Sequence, residues 1–163
     1  MGRLERPFFF MNSSQLEKFL SEQIPLTQAL GVKVREANAK QAVLFAPLEQ
    51  NRNHMGTAFG GSLAATLILA GYTWLYSYLE QEGHASHVIL KGSQTNYLHP
   101  VEKDFIITCR APLETEVNMF MEAFIRKGLA RIFLESEIVT GYGTSATFRG
   151  EFVVKKSDSG LLG

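Results

Sequence analysis

A polar stretch ahead of a long apolar segment combines groups that could bind and polarise a carbonyl. Asn53 carries an amide that donates and accepts hydrogen bonds, and His54 carries an imidazole that titrates near neutral pH. Gly60 and Gly61 then open an apolar run that meets its first charge at Glu80. If this run is a helix, its first amides lack partners within the helix, and glycines let a ligand approach them. The helix dipole would favour an oxygen that develops negative charge there.

Each of these residues also has a structural interpretation. Asn53 can close a turn or cap a helix, His54 can be an exposed loop residue, and the glycines can mark close backbone packing. Ser62 and Thr66 lie one turn apart on the expected helix, where they could contact a ligand or position water. A hydroxyl on a buried helix more often bonds to the carbonyl one turn earlier. The residue types alone leave these alternatives open.

Other classes of chemistry have weaker support. The histidines that follow the apolar segment have no Cys or carboxylate at metal-ligand spacing, so neither a metal site nor a cofactor is predicted. The serine of "GTSATF" does not lie in a nucleophile elbow. Lys plus Arg and Asp plus Glu both number 16, giving a net charge of zero, so nothing indicates binding to nucleic acid or to an anionic membrane.

The elements that must position these groups follow from hydrophobic periodicity. A short helix is predicted at 13–23, with Ser13 or Ser14 as its cap, and a hairpin at 32–46. A long helix at 60–80 follows. Period-two patterning then predicts five strands, near 86–98, 103–111, 115–127, 129–140 and 145–156. This order indicates an α+β fold with an antiparallel sheet that buries one face.

The long apolar segment could be a membrane span or a buried helix. It has the length of a span and no Lys or Arg. Its several hydroxyl-bearing side chains and the lack of a flanking basic cluster argue against a span. A span here would also separate the hairpin 32–46 from the sheet. We therefore expect a buried helix wrapped by a curved sheet, and no association with the membrane.

Chain length and cysteine content indicate the domain organisation and the cellular compartment to expect. A chain of 163 residues suits one domain, which we place at 13–156, between an N-terminal arm at 1–12 and a tail at 157–163. The apolar run within the first ten residues is too short for a signal peptide. Cys109 is the only cysteine, so no internal disulfide can form and a cytoplasmic, reducing location is expected.

Three stretches resemble one protein family. "NHMGTAFGGSL" is similar to the N-x-x-G-T-x-H-G-G signature of the phenylacetate-type hotdog thioesterases, which hydrolyse acyl-coenzyme A. "NYLHPV" followed by "DFIITCR", and later "GTSATFRGEFVV", resemble strands of the same family. The form "GTxFGGS" resembles a thioesterase-like bacterial subgroup that stands alone or follows an acetyltransferase-related domain. The resemblance spans about residues 20–156 and implies the hotdog fold, a curved antiparallel sheet around one long central helix.

The resemblance also implies an activity and an assembly. It implies an acyl-thioester hydrolase that acts on coenzyme A or acyl carrier protein esters, as a homodimer or a dimer of dimers. Asn53, Gly60 and Gly61 would then be catalytic, with the glycine amides as an oxyanion hole. The residues implied in substrate binding are His54, Thr57, Phe59, Ser62 and Thr66.

Two departures from the family pattern bear on the chemistry. The histidine before the paired glycines is Phe59 here, and the acid that the family carries on its helix falls near Ile68. No Asp or Glu stands between Gly60 and Leu79. A non-catalytic acyl-coenzyme A-binding or regulatory module is therefore the alternative function. A hydratase on the same fold would need a facing His and acid, and no convincing pair is present.

Overall fold

The computed structural model describes residues 11–158. Most of the expected N-terminal arm (residues 1–10) and of the expected tail (residues 159–163) lies outside the described residues. The helices are α1 (Ser13–Gln23), α2 (Leu26–Ala29), α3 (Leu48–Asn51), α4 (Gly60–Gln81) and α5 (Glu114–Lys127). The strands are β1 (Lys33–Ala37), β2 (Gln41–Ala46), β3 (Ser86–Tyr97), β4 (Phe105–Arg110), β5 (Leu129–Thr140) and β6 (Gly143–Lys156).

The six strands form one antiparallel sheet that curves around α4. Their order is β1-β2-β4-β5-β6-β3, and α4 packs against all six. The hairpin at 32–46 and the long helix are confirmed. Strand β3 pairs with β6 along its whole length and has no second neighbour among residues 11–158. The helix that carries the candidate site is therefore fixed by the sheet, and one long strand edge stays open.

Alternating burial in β5 and β6 confirms the period-two prediction. The inward residues of β5 are buried while their neighbours along the strand are mostly exposed. In β6, Phe148 and Phe152 point into the core. α4 approaches this layer closely, because a Cβ built on Gly71 would lie 3.2 Å from the Phe152 ring. Trp74, Leu75 and Leu79 of α4 are fully buried. Within residues 11–158, no helix is both long and apolar enough to cross a membrane.

The cap of α1 lies one residue earlier than predicted. Asn12, rather than Ser13 or Ser14, accepts a hydrogen bond from the Gln15 amide through Oδ1 at 2.8 Å. The Gln15 side chain accepts in return from the Asn12 amide at 3.0 Å. This reciprocal capping box satisfies two backbone donors, which a serine at the next position could not do in the same geometry.

The predicted strand at 115–127 is wrong, since this segment is helix α5. Its alternating apolar residues suggested period two, but Val117, Phe120 and Phe124 have helical spacing and are the residues that become buried. The Glu116 carboxylate accepts a hydrogen bond from the Leu113 amide at 3.0 Å and closes the first turn. Gly128 ends the helix with φ of 68°, a conformation that glycine adopts without strain.

Candidate active site

The segment that leads into α4 is a loop closed by Asn53. The Asn53 Oδ1 atom accepts hydrogen bonds from the Met55 and Thr57 amides, at 2.9 and 3.2 Å. Its Nδ2 atom donates to the Thr57 hydroxyl oxygen at 2.9 Å, and the two residues also share a backbone bond of 2.7 Å. This arrangement fixes the loop and orients the Thr57 hydroxyl. One amide hydrogen of Asn53 is left over for another acceptor.

Two backbone bonds anchor this loop to the fold. The Ala58 amide donates to the Val101 carbonyl at 2.8 Å, and the Phe59 amide donates to the Asn51 carbonyl at 2.7 Å. Asn51 is itself buried, and its side chain donates to the carbonyls of Leu30 and Pro47. The start of α4 is therefore held at a fixed place relative to the loop that follows β3.

Among residues 11–158, no side chain caps the N-terminus of α4. The first helical hydrogen bond runs from the Leu63 amide to the Phe59 carbonyl at 3.1 Å, so the amides of Gly60, Gly61 and Ser62 precede it. No acidic residue lies in the first turn to compensate the helix dipole. Unpaired amides at the positive end of a 22-residue helix can stabilise an oxygen that gains negative charge.

Two exposed aromatic rings flank the glycine pair. The Phe59 side chain is 58% exposed, and its Cε1 atom lies 2.5 Å from where a Cβ on Gly61 would be. The Tyr97 side chain, at the end of β3, lies 3.6 Å from a Cβ built on Gly60, and its hydroxyl donates to the Gly60 carbonyl at 3.1 Å. Any residue larger than glycine at position 61 would displace the Phe59 ring.

An apolar stripe runs along α4 from the glycine pair. Ala65, Ile68, Tyr72 and Tyr76 follow Gly61 at intervals of three or four residues and are only partly buried. The stripe ends in stacked rings: Tyr72 lies 6.0 Å from Tyr76, whose other neighbour is Phe19 of α1 at 4.1 Å. The Tyr72 phenol is neutral at physiological pH, as tyrosine ordinarily is, and burial raises its pKa further.

The structure brings two pairs of the predicted site residues into contact. Asn53 bonds Thr57 within the loop, and Phe59 lies against Gly61 at the start of α4. Thr66 does not belong to this group, because it is fully buried and its hydroxyl donates to the Leu63 carbonyl at 3.0 Å.

The two remaining predicted residues differ in exposure. His54 is exposed next to Asn53 in the loop, and Ser62 is half-buried in the first turn of α4. Neither has a side-chain hydrogen bond within residues 11–158 that would fix it toward the glycine pair. Both therefore border the candidate site without being held in it. No group of three or more His, Cys, Asp or Glu within the described residues could hold a metal ion.

Tyr97 is the residue that sequence reasoning missed. It lies 37 residues after Gly60 in the chain, so no local motif connects the two. The stretch "NYLHPV" contains it, but the predicted strand there gave no reason to place its hydroxyl against α4.

Comparison with known proteins supports the fold assignment. A protein of unknown function from Chlorobaculum tepidum shares 31% identity and a TM-score of 0.84, covering 89% of this chain and 94% of that one. The crystal structure of the putative thioesterase from Shewanella oneidensis has a TM-score of 0.77 at 20% identity, covering 86% of this chain and 95% of that one. A probable thioesterase from Pseudomonas aeruginosa has a TM-score of 0.74 at 17% identity, covering 92% and 99%.

A family model identifies the group to which the sequence belongs. The YiiD_C model, described as "Putative thioesterase (yiiD_Cterm)", matches residues 13–156. This match covers the whole unit from α1 to the end of β6, which includes the loop of Asn53 and the glycine pair. The chain is therefore a member of the YiiD_C family of thioesterase-like proteins and has the hotdog fold.

Proposed function

We propose that this protein hydrolyses acyl thioesters of coenzyme A or of acyl carrier protein. The observation that carries the proposal is the uncapped start of α4 at Gly60 and Gly61, held open between two aromatic rings. A thioester carbonyl placed against these amides would be polarised, and the negative charge of the tetrahedral intermediate would be stabilised by the helix end. The family assignment supports the same reaction class.

The acyl chain would lie along the stripe of α4. This stripe begins beside Gly61 and offers Ala65 and Ile68 as its first apolar contacts. Between Gly61 and Tyr72 the helix rises by about 16 Å. Burying methylene groups there contributes about 0.8 kcal/mol each, which favours a substrate with an apolar acyl group.

The test of the proposed function is a screen of acyl-coenzyme A esters, from acetyl to palmitoyl, for thiol release. We expect turnover that depends on the acyl group. The protein adds little thiol background, because Cys109 is buried and burial raises its pKa to about 11. The matching acyl carrier protein esters, tested in parallel, identify the carrier.

A non-catalytic acyl-coenzyme A-binding module is the second candidate. Ile68 is the observation that favours it, because an apolar, partly buried side chain occupies the position where the resemblance places the acid of related enzymes. In the hydrolase proposal the base must come from outside residues 60–79 of α4. Saturable binding of acyl-coenzyme A without thiol release would favour the binding module.

Asn53 offers a test that separates catalysis from loop structure. Asn53→Ala removes the acceptor that closes the loop and the donor to Thr57, so we expect unfolding to become easier by about 1 kcal/mol. If the free amide hydrogen orients water or the carbonyl, thiol release should also fall by about a hundredfold. Initial rates and thermal unfolding of the same samples measure both.

The matched control for this prediction is Asn53→Asp. A carboxylate keeps the oxygens that accept from the Met55 and Thr57 amides, but it has no N–H to donate. We expect this variant to be as stable as the wild type and as inactive as Asn53→Ala. Full activity of Asn53→Asp would show that Asn53 closes the loop but takes no part in the reaction.

We also propose a cytoplasmic homodimer that joins through β3. This edge strand has 12 residues and carries exposed apolar side chains such as Ile89, which is 55% exposed. An open edge of this length is a template for pairing with another strand. Light scattering at micromolar concentration should give about twice the chain mass of 18.2 kDa, or a further multiple for a dimer of dimers. A mass equal to one chain across that range would contradict this assembly.

A further inference from the structure

We infer that Tyr97 is a positioning residue that orients and polarises the Gly61 amide, an inference that rests on the proposed thioesterase function. The Tyr97 hydroxyl donates to the Gly60 carbonyl oxygen at 3.1 Å. That carbonyl and the Gly61 N–H belong to the same planar peptide unit. A contact at one end of the unit therefore fixes the direction of the other end.

The second effect of this contact is electronic. Within α4 the Gly60 carbonyl already faces the amide one turn later, so the Tyr97 hydroxyl uses its second lone pair. Hydrogen bonds that share a peptide unit polarise one another, which makes the N–H at the opposite end a stronger donor. The Gly61 amide has no partner within the helix, so the added polarity is available to a substrate oxygen.

The Tyr97 ring also packs against the backbone at the start of α4. Its atoms lie 3.6 to 3.8 Å from a Cβ built on Gly60, which is ordinary contact distance, so the ring rests against the helix end. Because Tyr97 closes β3, the contact connects the edge strand to the start of α4. The hydroxyl and the ring can be separated by substitution with phenylalanine, which keeps the ring contact.

The experiment compares Tyr97→Phe with Tyr142→Phe. Tyr142 is a suitable control because its ring is 61% exposed, against 54% for Tyr97, and its hydroxyl also makes one hydrogen bond, to Glu102 at 3.3 Å. We expect Tyr97→Phe to lower kcat about three- to tenfold, the effect of one neutral hydrogen bond, with KM nearly unchanged. Tyr142→Phe should leave both constants unchanged.

A second readout is independent of turnover. In a proton–nitrogen correlation spectrum, the Gly61 amide proton should move upfield in Tyr97→Phe, since its peptide loses a polarising donor, and it should not move in Tyr142→Phe. If the wild type releases no thiol, the proposed function fails. The role of Tyr97 is then tested by the Gly61 amide shift together with the affinity for a non-hydrolysable acyl-coenzyme A thioether. An unchanged Gly61 resonance overturns it, as does a normal kcat with only a lower melting temperature.

Discussion

Replacing Gly61 with valine is expected to reduce thiol release from acyl-coenzyme A by about a hundredfold or more. A Cβ at this position would meet the Phe59 ring at 2.5 Å, and we expect the added side chain to crowd a thioester carbonyl that approaches the helix amides. Loss of one oxyanion donor costs about a hundred- to a thousandfold in rate. Steady-state kinetics should show a fall in kcat rather than only a rise in KM.

The same substitution should leave the fold largely intact. The atoms that clash with the new side chain belong to Phe59, which is 58% exposed and can rotate outward. We expect the free energy of unfolding to change by about 1 kcal/mol or less. Gly141→Val is the control, because no atom of the described residues lies within 4 Å of a Cβ built on that turn residue. A Gly61→Val enzyme with the wild-type rate would exclude the helix amides from the reaction.

Replacing Phe124 with alanine is expected to lower the free energy of unfolding by about 3 to 5 kcal/mol. Phe124 is 1% exposed, stacks with Phe120, and meets the His84 ring edge-on at 5.5 Å. Removing it leaves a cavity between α5 and the body of the protein. Denaturant unfolding of both proteins, with similar slopes, measures the difference.

Ile125→Ala is the matched control, because the helix turns this neighbouring side chain to solvent, where it is 67% exposed. We expect a change within about 0.5 kcal/mol. If this segment were a strand with Ile125 on its buried face, Ile125→Ala would destabilise the protein more than Phe124→Ala. A larger loss from Ile125→Ala than from Phe124→Ala would therefore contradict the helical assignment of α5.

The central helix and the paired strands could be predicted because their patterns are local and unambiguous. The run that begins at Gly60 has no charge before Glu80, and α4 spans Gly60–Gln81. In β5 and β6, burial alternates as the sequence does, since each strand has one face on the core. Where only one hydrophobic period fits the residues, tertiary packing favours the same secondary structure as the local pattern.

The strand predicted at 115–127 is wrong because two periods fit the same residues. Val117 begins both an alternating series and a helical one, and the residues that decide between them lie at the ends of the segment. Glu116 closes the first turn and Gly128 ends the helix, whereas a strand gains nothing from either feature. These two end signals favour a helix over a strand.

The candidate site was predictable only where it is contiguous in sequence. Asn53 and Thr57 meet because they lie four residues apart in one loop, and Phe59 lies against Gly61 two residues further on. The inward turn of Thr66 depends on how α4 rotates against the sheet, and the contact of Tyr97 depends on where β3 ends in space. Neither the rotation of α4 against the sheet nor the position of the end of β3 follows from a local sequence pattern.

The open edge of β3 has a dynamic consequence for the start of α4. β3 is held on one side by β6, and its last residue, Tyr97, supports the Gly60 peptide. Edge segments open by local unfolding at lower free energy than a protein's core. Fraying of this strand end would therefore release the peptide without melting α4, and hydrogen exchange should be faster at Tyr97 than at central β6. A second strand on the free edge would slow the fraying, so association between chains would lengthen the lifetime of the ordered helix end.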